Sequence, residues 1–144
     1  MQKIFLCTCF ALALFLHMPP QRANLCFLDG EYTFYSTQMQ TFSGCNVLKN
    51  GKIYHISCNT QTAKTIDIKG VVGHSVKFEG TQQDFFKTCK MLGKIKSQYL
   101  VDNVLVAEGV SQKLEKSKNL GTNFQVSFDG KYITVGTPVI MGSF

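Results

Sequence analysis

Most of the chain alternates between apolar and polar residues with a period of two, as strands with one buried face do. The alternating runs are 31–35, 45–49, 52–58, 65–69, 75–79, 97–101, 104–108, 124–128 and 131–135. We expect the glycine-containing residues 70–74 to form a turn between two of these strands. Short connections favour antiparallel neighbours, so the pattern predicts a mostly antiparallel β-sheet, arranged as a sandwich or a partly closed barrel.

Three dipeptides predict tight hairpin turns, because their residues tolerate a positive φ. They are Asn50-Gly51, Asp102-Asn103 and Asp129-Gly130. With a two-residue turn, Cys45 faces Ile56 in the first hairpin. In the last hairpin the same turn length places Val126 opposite Ile133. Each pair then lies on the apolar face of its hairpin.

One stretch, residues 81–93, carries the signals of a short α-helix. Thr81 can cap its first turn, Asp84 favours the helix N-terminus, and Gly93 can end it. Its apolar face consists of Phe85, Cys89 and Leu92. A helix this short is not stable alone, so we expect it to pack on the sheet. The predicted fold is therefore an α+β domain with one short helix.

Three lysines recur at helical spacing on another face of this stretch: Lys87, Lys90 and Lys94. The simpler interpretation of such a stripe is a solvated helix face. The functional interpretation is a docking surface for an acidic protein or an anionic envelope polymer. These lysines are the candidate binding residues of the sequence.

The N-terminus resembles a secretory signal. Lys3 precedes an apolar run of thirteen residues, Ile4–Leu16, which suits a signal-peptide core and is short for a membrane span. We predict a signal peptide over 1–23 and a single secreted or periplasmic domain over 24–144, with no stable membrane span after cleavage. The alternative is an uncleaved anchor.

Four cysteines remain in the predicted domain: Cys26, Cys45, Cys58 and Cys89. An even number in an exported chain predicts two stabilising disulfide bonds. The Asn-Gly hairpin favours a bond between Cys45 and Cys58. The remaining bond, from Cys26 to Cys89, would tie the N-terminal segment to the helix. A metal site formed by Cys45, His55 and Cys58 is the competing interpretation, disfavoured because the spacing lacks a second pair of ligands.

The charge of the predicted domain is modest. Residues 24–144 contain thirteen lysines and nine acidic residues, a net charge of +4, with no arginine and no tryptophan. Arginine is the usual bidentate ligand of phosphate and guanine, so its absence, together with export, argues against a nucleic-acid partner. A chain of this length forms one domain.

Few residues suit catalysis. Residues 24–144 contain two histidines, His55 in a predicted strand and His74 in the predicted glycine turn, and no serine lies in a nucleophile-elbow motif. The sequence therefore predicts a binding protein without catalytic activity, metal or cofactor. One alternative is a small secreted hydrolase with a hidden site around either histidine. Another is an eight-stranded outer-membrane barrel, suggested by the length and by the terminal Phe144.

Overall fold

A computed structural model describes residue 25, residues 27–117 and residues 121–141. The strands are β1 (Glu31–Ser36), β2 (Asn46–Asn50), β3 (Ile53–Asn59), β4 (Val71–Glu79), β5 (Lys94–Val101), β6 (Val104–Val110), β7 (Phe124–Phe128) and β8 (Tyr132–Thr137). The helices are α1 (Thr60–Thr65) and α2 (Gln82–Leu92). The predicted signal peptide, Cys26 and Phe144 lie outside the described residues.

The eight strands form one antiparallel sheet in the order β2-β3-β1-β4-β8-β7-β6-β5. With the two helices, this confirms the predicted class, a mostly antiparallel α+β fold. The strands at the two ends of the sheet are β2 and β5. Within the described part of the chain, no helix is long and apolar enough to cross a membrane.

The hydrophobic core lies between one face of the sheet and α2. The sheet contributes buried side chains from six strands, including Tyr32, Phe34, Ile56, Val76, Ala107, Phe124, Val126, Ile133 and Val135. From α2 come Phe85, Cys89 and Leu92, all of which are buried in the same cluster. The predicted apolar face of the helix is therefore confirmed.

The start of α2 follows the predicted capping pattern. The Asp84 N–H donates to the Thr81 hydroxyl at 3.3 Å, and the Thr81 N–H donates to the Asp84 carboxylate at 2.9 Å. This reciprocal pair satisfies two backbone donors that have no partner within the helix. The N–H and the hydroxyl of Thr81 both donate to this carboxylate and stabilise its charged form. The hydrogen bond from the Thr81 backbone is the main reason that the pKa of Asp84 is lowered.

Two hairpin registers differ from prediction by two residues. Val47 pairs with Ile56, and Val126 pairs with Val135. A shift by an even number leaves every side chain on its predicted face. In the last hairpin the cause is Asp129, whose side chain accepts hydrogen bonds from two backbone N–H groups across the loop. The two-residue turn at Asp102-Asn103 is confirmed, with φ of 47° and 66°.

The strand predicted over 65–69 and the turn predicted over 70–74 are both wrong. Thr60–Thr65 is instead a second helix, and β4 already begins at Val71. The side chain of Asn59 explains the helix, because its Oδ1 accepts from the Thr62 N–H at 2.9 Å and caps the first turn.

Candidate functional site

A groove of about 570 Å³ lies where α2 ends and β5 begins. It combines apolar side chains with three lysines and is called the lysine groove below. Its lining residues are Met91, Leu92, Gly93, Lys94, Lys96, Val110, Gln112 and Lys113. Three segments therefore build it: the last turn of the helix, the start of the edge strand, and the chain that follows β6.

Gly93 allows the helix and the strand to meet at this point. A Cβ atom on Gly93 would lie 2.2 Å from the carbonyl oxygen of Val110, too close for any other residue. The Gly93 N–H closes the last turn of α2 by donating to Cys89 at 3.2 Å. The next residue, Lys94, already pairs with Val110 in the sheet. Helix and edge strand are thus connected by a single residue.

Lys113 contacts one wall of the groove and an aromatic ring outside it. Its Nζ donates to the carbonyl oxygen of Met91 at 3.2 Å, in the last turn of α2. The carbonyl groups at a helix C-terminus carry a partial negative charge, which a lysine neutralises. The same Nζ lies 5.6 Å from the centroid of the Phe27 ring. These contacts hold the Lys113 ammonium beside the groove.

The structure changes the grouping of the predicted binding lysines. Lys87 and Lys90 lie on α2, but Lys94 is the first residue of β5, because the helix ends before Gly93. Neither Lys87 nor Lys90 lines the groove, and the Nζ of Lys87 lies 3.8 Å from the Asp84 carboxylate, which offsets its charge.

Lys94 instead lies beside Lys96 and Lys113 in the groove, and neither of these two was among the candidate binding residues of the sequence. Lys113 lies in a stretch whose apolar and polar residues follow no regular period. The sequence pattern therefore did not indicate that Lys113 lies near the helix.

The groove presents unneutralised positive charge. Lys94 and Lys96 form no ion pair with any described residue, and neither does Lys113, whose ammonium group contacts the Met91 carbonyl. All three side chains are exposed. Beside them, Met91 and Val110 offer apolar surface. The arrangement can hold anionic groups next to apolar ones.

Hydrogen bonds among polar side chains link β5 to β6 and β7. Tyr99 donates from its hydroxyl to the Glu108 carboxylate at 2.8 Å, and Gln125 donates to the same oxygen at 2.8 Å. Ser97 donates to the other carboxylate oxygen at 3.3 Å. Burial and the hydrogen bond to Glu108 raise the pKa of Tyr99, so its hydroxyl stays protonated and keeps donating.

Three of the cysteines predicted to form disulfide bonds, Cys45, Cys58 and Cys89, lie on the core side of the molecule. No disulfide joins Cys45, Cys58 and Cys89 to one another, and Cys26 lies outside the described residues. Continuing the β2–β3 register past Asn46 and Ser57 places Cys45 opposite Cys58. Burial raises the pKa of the Cys89 thiol to about 11, which keeps it protonated at neutral pH.

The two histidines lie in strands. The expected turn position of His74 is wrong, because it lies within β4, is buried, and accepts a hydrogen bond from the Leu25 N–H. His55 lies in β3 and packs edge-on against Tyr35, with ring centroids 4.9 Å apart. Among the described residues, no hydrogen bond joins either ring to a serine, threonine or cysteine side chain.

The described residues include no group of three or more His, Cys, Asp or Glu side chains that could hold a metal ion. The lysine groove is a concave site in which exposed charge and apolar surface meet. Comparison of the chain with protein families, with curated proteins and with solved structures finds no match.

Proposed function

We propose that this protein is an exported binding protein and that the lysine groove is its contact with an acidic protein or an anionic envelope polymer. The observation that carries the proposal is the convergence of Lys94, Lys96 and Lys113 on a groove with apolar walls. No described carboxylate neutralises these lysines. Complementary charge of this kind attracts an anionic partner and accelerates its association.

Strand pairing fixes the backbone at Lys94 and Lys96, and a side-chain hydrogen bond holds Lys113. Lys94 and Lys96 belong to a strand that is paired with β6, and Lys113 is held by Met91. A pre-ordered set of charges loses less conformational entropy on binding than a flexible one does. The contacts remain exposed, so their strength should fall as salt shortens the range of the electrostatic interaction.

The test compares two triple variants with the wild-type protein. One carries Lys94→Gln, Lys96→Gln and Lys113→Gln, which replace the three lysines that line the groove. The matched control carries Lys52→Gln, Lys64→Gln and Lys131→Gln, which remove the same charge elsewhere on the surface. Binding to polyglutamate, a mimic of an acidic protein, and to dextran sulfate, an anionic polymer, is measured at low salt.

We expect the groove variant to bind at least one of these probes more weakly than the control does. Circular dichroism should show that both variants stay folded, because exposed lysines contribute little to stability. An equal loss of binding in both variants would show that only net charge matters and would refute the groove as the contact.

Export is part of the same proposal and has its own measurement. Expression in an exporting host followed by intact-mass analysis should give a chain that begins at Asn24. A full-length mass would contradict the predicted cleavage after Ala23 and support the alternative of an uncleaved anchor.

The contacts of the two histidines do not support the second candidate function, a small secreted hydrolase. The Nε2 atom of His74 is occupied by the Leu25 N–H, and His55 packs on an aromatic ring. A general base must lie within hydrogen-bonding reach of the proton that it removes.

A further inference from the structure

The strand β5 ends the sheet on the side of the lysine groove. It has eight residues, and all of them are exposed except the half-buried Ile95. Within the described part of the chain, β5 pairs with β6 on one side and with no strand on the other. The opposite end of the sheet, β2, is shorter, with five residues. An unpaired strand edge of this length is a template for adding another strand.

This edge is held in an extended conformation before any partner arrives. From Ser97 to Val101, the strand pairs residue by residue with β6 and then turns through Asp102-Asn103. On one face, Glu108 binds the hydroxyl groups of both Ser97 and Tyr99. A partner strand would therefore meet a backbone that is already ordered, which reduces the entropy cost of binding.

The chemistry of the edge changes along its length. At its beginning stand Lys94 and Lys96, both exposed and without a described ion-pair partner. At its end stand Leu100, which is 70% exposed, and Val101, which is 37% exposed. The surface thus offers positive charge at one end of the strand and apolar contact at the other.

We propose that β5 accepts an extended segment of a partner protein as a ninth strand, and that this segment is acidic at one end and apolar at the other. The inference rests on the proposed binding function and names the partner class and the mode of contact. Antiparallel pairing is the more stable arrangement per residue, so the acidic end of the segment is its C-terminal end. The acidic side chains then lie near Lys94 and Lys96, and the apolar ones near Leu100.

A second copy of this chain is a poorer occupant of the edge. The ladder between β5 and β6 is interrupted by a bulge between Ile95 and Ser97, and the intervening residue is Lys96. Bulges and lysines on an edge strand both oppose pairing with another identical edge. An acidic strand reverses the electrostatic effect, because the same lysines attract it.

The probe is a fluorescein-labelled peptide, Val-Thr-Val-Thr-Glu-Thr-Glu-Thr, titrated with the exported protein and followed by anisotropy. A second peptide has the same side chains but carries N-methyl groups on alternate backbone nitrogens, on the edge that would face β5. Strand addition depends on backbone N–H donors, so methylation should weaken binding by about tenfold or more. Amide hydrogen exchange should also slow in β5 when the unmethylated peptide binds.

The protein variants separate this mode from charge-driven docking. Replacing Lys94 and Lys96 by glutamine should weaken binding of the unmethylated peptide by about threefold or more at low salt. The matched control, Lys52→Gln with Lys64→Gln, should bind like the wild-type protein.

Two results would refute different claims. If the lysine variant loses affinity but the methylated peptide binds as well as the unmethylated one, strand addition is wrong and the proposed function stands. If the lysine variant and its control bind the acidic peptide equally well, the proposed function fails.

Sedimentation tests the alternative occupant. The protein without peptide should remain monomeric at concentrations well above the peptide dissociation constant. A dimer that the peptide dissociates would show that a second copy occupies this edge and would overturn the proposal.

Discussion

The backbone N–H of Leu25 donates a hydrogen bond of 3.0 Å to Nε2 of His74, which ties the N-terminal segment to the middle of β4. The His74 ring stacks on Phe34, with centroids 5.5 Å apart. Nε2 can accept this bond only when it carries no proton. Burial also disfavours the charged ring and lowers the pKa of His74 from 6.5 to about 4.

The first prediction is a loss of stability in mild acid. In the unfolded chain His74 takes up its proton near pH 6.5, whereas in the folded protein it does so only near pH 4. The stabilisation is therefore complete above pH 6.5 and is lost as the pH falls from 6.5 to 4. The loss should reach about 3 kcal/mol, measured as the free energy of unfolding in urea at several pH values.

The control for this effect is the other strand histidine. His55→Gln should retain the pH dependence, whereas His74→Gln should remove most of it. The described carboxyl groups with lowered pKa, Asp84 and Asp129, titrate below this window. An NMR titration that places the pKa of His74 near 6.5 in the folded protein would contradict the prediction without any variant.

The second prediction concerns disulfide bonds. After purification from an oxidising compartment, we expect Cys45 to be bonded to Cys58, because the β2–β3 register places them opposite each other. We expect Cys89 to be bonded to Cys26. The reason is that Phe27, the residue after Cys26 in the sequence, lies near Lys113, which contacts Met91 at the end of α2.

Peptide mapping under non-reducing conditions tests this connectivity. A peptide pair that joins Cys45 to Cys89 would refute it, and four thiols alkylated without reduction would refute both bonds. Each bond should stabilise the fold by roughly 3 kcal/mol or more in the chain-entropy model, measured as the difference between oxidised and reduced protein.

The third prediction concerns the capping box of α2. Thr81→Ala removes the side-chain acceptor for the Asp84 N–H and should lower the free energy of unfolding by about 1 kcal/mol. Gln82→Ala, at the neighbouring exposed position, is the matched control and should have little effect. Equal stability of the two variants in urea would show that the cap does not stabilise this helix.

The fourth prediction concerns the close approach of β5 and β6 beside the groove. A Cβ atom on Gly109 would lie 2.3 Å from the carbonyl oxygen of Lys94 and 2.6 Å from Cζ of Phe124. Gly109→Ala should therefore lower the free energy of unfolding by about 2 kcal/mol or more. Gly121→Ala, where no described atom lies within 4 Å, is the control and should be nearly neutral. A neutral Gly109→Ala variant in thermal unfolding would contradict this packing.

The parts of the fold that the sequence predicted well have local causes. The helix α2 combines a cap, an acidic first turn and an apolar face, all readable within thirteen residues. Strand faces were also predictable, because alternation decides them even when the register is wrong by two. The register itself depended on the Asp129 side chain, which lengthens the loop of the last hairpin.

The features that the sequence did not predict depend on contacts between residues far apart in the chain, or on local effects that oppose one another. In α1, the residues Thr60–Thr65 have weak helix propensity, and the Asn59 cap and the burial of Ala63 offset it. His74 looked like a turn residue because glycine precedes it, yet β4 runs through it. Lys113 reaches the groove only through tertiary packing against Met91, so no periodicity could place it there.

The single-residue connection at Gly93 also has a kinetic consequence. One glycine joins the last turn of α2 to the first residue of β5, and Phe85, Cys89 and Leu92 of α2 are buried in the core. Because α2 cannot move away from β5 without exposing these side chains, we expect the groove to keep its shape when a ligand binds. Association should occur in one step, and the observed rate constant in stopped-flow mixing should rise linearly with ligand concentration, without a plateau.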